Sequence, residues 1–165
     1  VPPDQRFYAG GPTDVRGYDR NELGPVAYVI AEQDVVGDSI PLDAVRVAPT
    51  GGNTQVVANA ELRLPSPVFG QRIRLAAFVD AGGVWERGKG SASPRLIRVT
   101  PGAGIRLATP LGPARMDVAW NPYDLPVGAL YQAGSDGTIT LLRDRFRLPQ
   151  GANRLTFHFS VGQAF

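Results

Sequence analysis

Residues 154–165, the last segment of the sequence, alternate between apolar side chains and polar or small ones. The apolar positions are Leu155, Phe157, Phe159, Val161 and Phe165, and the positions between them are Thr156, His158, Ser160, Gly162 and Ala164. Successive side chains of a β-strand point to opposite faces, so this alternation predicts an extended strand with one apolar face and one polar face. Any fold of this chain must give the two faces different surroundings.

Four earlier segments have the same character, and together they predict an all-β protein. We place strands at residues 53–64, 71–85, 97–109, 112–121 and 154–165, separated by turns rich in proline and glycine. In the first strand the even-numbered residues from Val56 to Leu64 are apolar, and Glu61 lies on the opposite, polar face. Asp80 lies on the polar face of the second strand.

The remaining residues show no such alternation. Residues 1–51 carry glycine or proline at short intervals, and we interpret them as one long loop, whereas residues 52–165 hold the strands of a single, incomplete domain. Residues 122–153 form a second long loop with a short hairpin around Ser135, Asp136 and Gly137. Loops of this length inside a compact domain are uncommon and usually functional.

The composition excludes several functional classes. The 165 residues include no cysteine and one histidine, which excludes disulfides, zinc fingers, thiol catalysis and metal sites built from several histidines. No apolar run approaches the roughly 18 residues of a transmembrane helix. The net charge is only +2 and the arginines are dispersed, so we expect no nucleic-acid partner. His158 and Ser160 lack a second histidine and a nucleophile elbow, so we expect no enzyme, metal or cofactor.

The two-faced strands fit two architectures. A soluble β-sandwich has one face in a core and one in water, and a membrane β-barrel has one face in lipid and one in its lumen. Strands of about ten residues or more, each rising ~3.4 Å, match a tilted membrane crossing better than the five or six residues usual in soluble strands. Periodicity alone leaves both architectures open.

Four motifs occur in order along the chain. They are RFYAGGPTDVRGY at residues 6–18, FVDAGGVW at residues 78–85, GAGIRLATPLGPARMDVAW at residues 102–120 and FHFSVGQAF at residues 157–165. This set closely resembles the Omp85 superfamily of outer-membrane assembly proteins. The resemblance implies an antiparallel transmembrane β-barrel segment in the bacterial outer membrane: about five C-terminal strands of a sixteen-stranded barrel, preceded by a long loop inserted into the lumen.

The resemblance also assigns roles to residues of the first loop. In the family, the arginine of the VRGY motif folds back into the barrel and pairs with acids of the inner wall. The implied loop latch consists of Arg16, Gly17, Tyr18, Asp80 and Glu61. We expect Gly17 to adopt a backbone conformation that a side chain would forbid, and Gly10 and Gly11 to do the same at the turn of the loop.

The last strand has a second implied role. In the family it forms one side of the seam between the last and first barrel strands, and its terminal aromatic residue resembles the signal by which outer-membrane barrels are recognised for assembly. The seam and signal residues are Phe157, Phe159, Val161, Gly162 and Phe165. Gly162 interrupts the strand, and in the family a glycine here accompanies a kink at the seam.

The function that the resemblance implies is assembly and insertion of β-barrel proteins, by strand templating at a lateral seam and without nucleotide hydrolysis. The expected partners are outer-membrane lipid, unfolded β-barrel clients, accessory assembly subunits, and upstream POTRA domains and barrel strands absent from this sequence. A polypeptide-secretion pore and an assembly factor with a different client are alternatives within the superfamily. A soluble β-sandwich binding module is the alternative outside it.

Overall fold

The computed structural model describes residues 2, 5–35, 37, 39–68, 72–88, 96–110, 112–149 and 154–162. The predicted terminal aromatic, Phe165, lies outside these residues. Within them the one helical element is a 3-10 turn at Glu32–Asp34, and no helix is long and apolar enough to cross a membrane.

The described residues form two β-sheets from nine strands. The strands are β1 (Val26–Ala31), β2 (Arg46–Pro49), β3 (Thr54–Pro65), β4 (Ile73–Trp85), β5 (Arg98–Thr109), β6 (Gly112–Asn121), β7 (Gly128–Ala133), β8 (Ile139–Phe146) and β9 (Arg154–Val161). The larger sheet has the order β3-β4-β5-β6-β9, and the smaller one has the order β2-β1-β7-β8. The fold is therefore all-β, as predicted.

The larger sheet consists of the five predicted strands. Its four pairings are all antiparallel. The predicted bounds agree with the observed ones to within two residues at every end except the last, because β9 ends at Val161 and residues 163–165 are not described. Strands β3, β4 and β5 have 12 or 13 residues, the length that favoured a membrane crossing over a soluble sheet.

The two faces of this sheet reverse the pattern of a soluble protein. We call the face that carries Glu61, Asp80 and Asp117 the inner face, and the opposite one the outer face. Apolar side chains of the outer face are exposed, with Leu75 at 41% and Phe157 at 73%, whereas Asp80 is fully buried. This arrangement excludes the soluble β-sandwich, which would enclose the apolar side chains in a protein core.

The smaller sheet was not predicted in full. Residues 1–51 were interpreted as irregular, but they contain β1 and β2, which pair antiparallel. The hairpin predicted around Ser135, Asp136 and Gly137 is confirmed as β7 and β8. Strand β1 pairs in parallel with β7, with Tyr28 opposite Leu130, so the two long loops are joined through one sheet.

Two apolar clusters hold the loops in place. One consists of Val26, Tyr28, Ile30, Val45 and Leu130 inside the smaller sheet, where the rings of Tyr28 and Phe146 meet edge-on at 5.1 Å. The other consists of Ala9, Val15, Tyr18, Leu23 and Val84, and it packs the first loop against the end of β4. The second cluster positions the first loop against the inner face of the larger sheet.

Candidate functional site

The first loop reaches the inner face through a glycine turn and a buried anchor. Gly10 and Gly11 have φ angles of +107° and +113°, a region that favours glycine, as predicted for the turn. Directly before the turn, Ala9 forms a bridge with Leu23. Val15 is buried and accepts a backbone hydrogen bond from Tyr18, which closes the loop tip around Arg16 and Gly17.

Arg16 makes a two-pronged contact with Asp80 of β4. Its Nε donates to Asp80 Oδ2 at 2.7 Å and its Nη2 donates to Asp80 Oδ1 at 2.8 Å. The backbone N–H of Arg16 donates to the same Oδ2 at 3.0 Å. Arg16 is 5% exposed and Asp80 is 0% exposed, so this charge pair lies out of contact with solvent. The planar guanidinium matches the carboxylate in a way that a lysine could not.

Burial and charge act in opposite directions on Arg16. Burial lowers the pKa of the guanidinium, but the hydrogen bonds to Asp80 and Glu61, together with the negative charges of Asp80 and Asp117, outweigh it and raise the pKa above its usual value. Arg16 therefore stays protonated while it is docked.

A wider ionic network surrounds this pair. Glu61 of β3 accepts from Arg16 Nη1 at 2.6 Å and from Arg106 Nη2 at 2.9 Å. Asp117 of β6 accepts from Arg106 Nη1 at 2.5 Å and from Arg115 Nε at 2.6 Å, and it lies 3.7 Å from Arg16 Nη1. With Arg63, which donates to Glu61, the network holds four arginines and three carboxylates. Strands β3, β4, β5 and β6 all contribute to it.

Two neutral side chains complete the surroundings of Arg16. The ring of Phe78 lies under the guanidinium, with 3.4 Å between Cζ of Arg16 and the ring centroid. Asn59 Nδ2 donates to Asp80 Oδ1 at 2.8 Å and to the carbonyl of Asp14 at 2.5 Å. Asn59 thus joins the acid of the wall to the backbone of the loop.

Gly17 is required for a different reason from the one predicted. Its φ angle is outside the left-handed region, so no special backbone conformation explains it. Instead, a Cβ at this position would overlap the side chain of Thr100 on β5. The Gly17 carbonyl accepts from Asn121 Nδ2 at 2.8 Å and from Thr156 Oγ1 at 3.1 Å. Gly17 therefore allows the loop backbone to lie directly on the wall.

Tyr18 lies in the apolar cluster rather than in the ionic network. It is buried beside Val15, Leu23 and Val84. Burial raises the pKa of its hydroxyl to about 12, against the opposing charge of Arg98. Tyr18 thus anchors the loop apolarly, next to the polar contacts of Arg16 and Gly17.

Three further contacts on β9 were not predicted. His158 Nε2 lies 2.9 Å from the carbonyl of Arg16, and Arg154 Nη1 lies 2.7 Å from Oε1 of Glu22. The third contact is the hydrogen bond from Thr156 to Gly17. The alternation places His158 and Thr156 on the polar face of the strand but does not identify what they contact. The alternation gives the face of a residue, not its height along the barrel wall.

Three of the five predicted seam residues lie on the outer face of β9. They are Phe157, Phe159 and Val161, and all three are exposed. Gly162, at the end of the strand, has a φ angle of +77° and donates its N–H to the Pro113 carbonyl at 3.0 Å. Among the described residues β9 pairs with β6 only, so its other edge has no partner strand there.

The chemistry of this site is that of docking. Within the described ranges no group of three or more His, Asp or Glu side chains is arranged to hold a metal ion. Each of the three carboxylates of the network forms a salt bridge with an arginine. A charged loop held in a charged wall, behind an outer face of apolar side chains, is the arrangement expected of a plugged membrane barrel.

Comparison with known proteins agrees with this architecture. All 165 residues match the Omp85 superfamily domain. The chain belongs to the Omp85 superfamily. It is 29% identical to the outer membrane protein assembly factor BamA of Neisseria meningitidis serogroup B over 145 residues, a match that covers 73% of this chain and 17% of that protein. The large sheet is therefore a segment of a bacterial outer-membrane β-barrel.

A solved structure shows the same fold. The crystal structure of Haemophilus ducreyi BamA lacking POTRA domains 1–3 superposes with a TM-score of 0.56 at 20% identity, and the match covers 96% of this chain and 27% of that one. The chain thus spans less than a third of the length of either relative.

Proposed function

We propose that this chain is the seam-bearing part of a factor that inserts β-barrel proteins into the outer membrane. The observation that carries the proposal is the match of all 165 residues to the Omp85 superfamily domain, with β9 as the last strand of the described sheet. Where such a strand is released from its outer partner in the whole barrel, its backbone groups form a ready template for an incoming strand. Strand templating of this kind exchanges one set of hydrogen bonds for another and needs no nucleotide hydrolysis.

The end of the last strand supports this role. Strand β9 pairs with β6 from Arg154 to Val161, and Gly162 follows directly. Gly162 ends β9 with a backbone that departs from the extended conformation. A strand that ends in a glycine gives up its outer partner at lower cost than a regular one.

Arg16, Gly17, Tyr18, Asp80 and Glu61 act in this proposal as a latch that keeps the loop inside the lumen. The docked loop occupies the inner face of β4, β5, β6 and β9 through its contacts with Asp80, Thr100, Asn121 and Thr156. This occupancy favours insertion at the seam over passage of a polypeptide through the lumen. The proposed partners are lipid, unfolded β-barrel clients, and the POTRA domains and further strands of the whole protein.

A cross-link tests the seam directly. The chain has no cysteine, so an introduced pair is unambiguous within it. In the full-length protein in liposomes, a disulfide between β9 and the first barrel strand should abolish folding of an added unfolded β-barrel client, measured by the gel shift of the folded client.

The matched control locks the other side of the same strand. Trp120 and Leu155 are register partners on the outer face of β6 and β9, so Trp120→Cys with Leu155→Cys joins those strands and leaves the seam free. This control should retain assembly activity. Full activity of the seam-locked protein would refute strand templating.

A further inference from the structure

The last strand is attached to the first loop as well as to its neighbouring strand. Arg154, Thr156 and His158 are the three successive inner-face residues of β9 from its first position. Each of them contacts the loop: Arg154 pairs with Glu22, Thr156 donates to the Gly17 carbonyl, and His158 contacts the Arg16 carbonyl. Ser160 is the next inner-face residue and makes no hydrogen bond to the loop among the described residues. The polar attachment therefore extends over Arg154 to His158, the first five of the eight residues of β9.

The stretch of the loop that contacts β9 also binds β4. Thr156 and His158 approach the backbone carbonyls of Gly17 and Arg16, whereas the Arg16 side chain holds Asp80. Asp80 is on β4, and two strands, β5 and β6, lie between it and β9. One short piece of loop therefore ties β4 to β9 across the inner face.

The smaller sheet provides a second connection between the same parts of the chain. Strand β1 follows the loop tip and pairs with β7, which lies in the connection from β6 to β9. The last hairpin of the barrel and the first loop thus meet both on the inner face and in the smaller sheet. A displacement of the loop would therefore break contacts with β9.

We propose that the docked loop fastens β9 to the barrel wall, with Arg154, Thr156 and His158 as positioning residues. While the loop is docked, β9 stays on β6 and exchanges partners only at its outer edge. When the loop undocks, β9 loosens from Arg154 to His158. The consequence for assembly rests on the proposed function, but the fastening itself is a property of this chain and is measurable without a client.

Hydrogen exchange of the full-length protein in lipid nanodiscs tests the fastening. The double substitution Thr156→Val with His158→Ala removes two contacts to the loop and leaves the Arg16, Asp80 and Glu61 side chains unchanged. Loss of two hydrogen bonds should accelerate exchange of the β9 amides by roughly tenfold, through local opening of that strand. The amides of β3, which three strands separate from β9 in the described sheet, should exchange at the unaltered rate.

Three comparison variants make the result specific. Thr156→Ser with His158→Gln keeps a donor at both positions and should restore slow exchange. Ser160→Ala alters the same face of the same strand and should have no effect. Glu22→Gln removes the charge that Arg154 faces from the loop side, and it should accelerate β9 exchange without any change in β9 itself.

Two results would overturn the proposal. One is unchanged exchange of β9 in both the double variant and Glu22→Gln, which would mean that the loop contacts do not hold the strand. The other is an equal increase in β3 and β9, which would indicate general destabilisation of the wall. Because the measurement needs no client, its result is independent of the outcome of the seam cross-link.

Discussion

The two acids that hold Arg16 should differ in importance, and the structure predicts their order. Asp80 is fully buried and accepts four hydrogen bonds: three from Arg16, including one from its backbone, and one from Asn59. Asp80→Asn keeps the shape of the side chain but removes its charge and replaces one acceptor with a donor. Removal of one partner of a buried ion pair costs about 3–5 kcal/mol, because the other charge is left without compensation.

Glu61→Gln should be milder. The Glu61 side chain is 17% exposed, so water can replace part of what it loses. Glu61 also forms salt bridges with three arginines, Arg16, Arg63 and Arg106, so its interaction with Arg16 is one of several. We expect the loss of its charged hydrogen bonds to cost roughly 1.5–3 kcal/mol.

Trypsin cleavage of the loop in the reconstituted full-length protein measures this difference. The loop carries its own cleavage sites, Arg16 and Arg20, which neither substitution changes. When opening is fast compared with cleavage, the cleavage rate follows the undocked population. A cost of about 3 kcal/mol then corresponds to roughly a hundredfold faster cleavage for Asp80→Asn.

A charge swap provides the decisive control. Arg16→Asp with Asp80→Arg preserves the attraction and leaves Arg20 as the loop cleavage site at which all variants are compared. Position 80 then loses the acceptor that the backbone N–H of residue 16 and Asn59 require. The swap should therefore remain undocked. Restored protection in the swap, or cleavage of Glu61→Gln as fast as that of Asp80→Asn, would refute the assignment of Asp80 as the main anchor.

Three further predictions concern the loop and the outer face. Gly17→Ala should undock the loop because the added methyl overlaps the Cβ and both γ atoms of Thr100, and Thr100→Gly in the same chain, which removes all three atoms, should recover part of the protection from trypsin. Gly10→Ala should weaken docking more than Gly11→Ala. Both positions have a positive φ, so an alanine at either one carries a strain of about 1–3 kcal/mol. Only at Gly10 would the added Cβ also lie 2.5 Å from a backbone oxygen, that of Asp19. Val79→Lys, on the outer face of β4, should lower the free energy of unfolding in lipid by about 2–4 kcal/mol if the position lies near the bilayer midplane, and denaturant titration in liposomes checks this value.

The strands of the large sheet were predictable because their pattern is local. Alternation along each segment identifies both the strand and its two faces, and a polar-side residue such as Asp80 remains on that side whatever its neighbours are. The contact between Arg16 and Asp80 is not local, because 64 residues separate the two. Its prediction depended on the resemblance of the loop motif to a known family.

The small sheet shows what local patterns cannot predict. The segment VAYVIA of β1 is apolar throughout, a visible signal of a buried strand, but its partner β7 lies about a hundred residues later in the chain. Their parallel pairing extends over only four residues, Tyr28 to Ala31 opposite Leu130 to Ala133. Neither strand could be assigned to a sheet until both were placed in space. The same limit applies to Arg106 and Asp117, whose partners depend on strand register.

The membrane setting explains why a charged network, and not an apolar core, positions this loop. The outer face of the sheet gains nothing from packing against protein, since lipid solvates Leu75 and Phe157 equally well. The inner face borders a wet lumen, where an exposed ion pair would contribute little. Only where the loop excludes water, as over Asp80, do charge-assisted hydrogen bonds become strong and specific enough to select one docked position. The inner-face charges therefore concentrate where the loop covers them, and the strand that the loop also touches, β9, is the one whose mobility the loop can control.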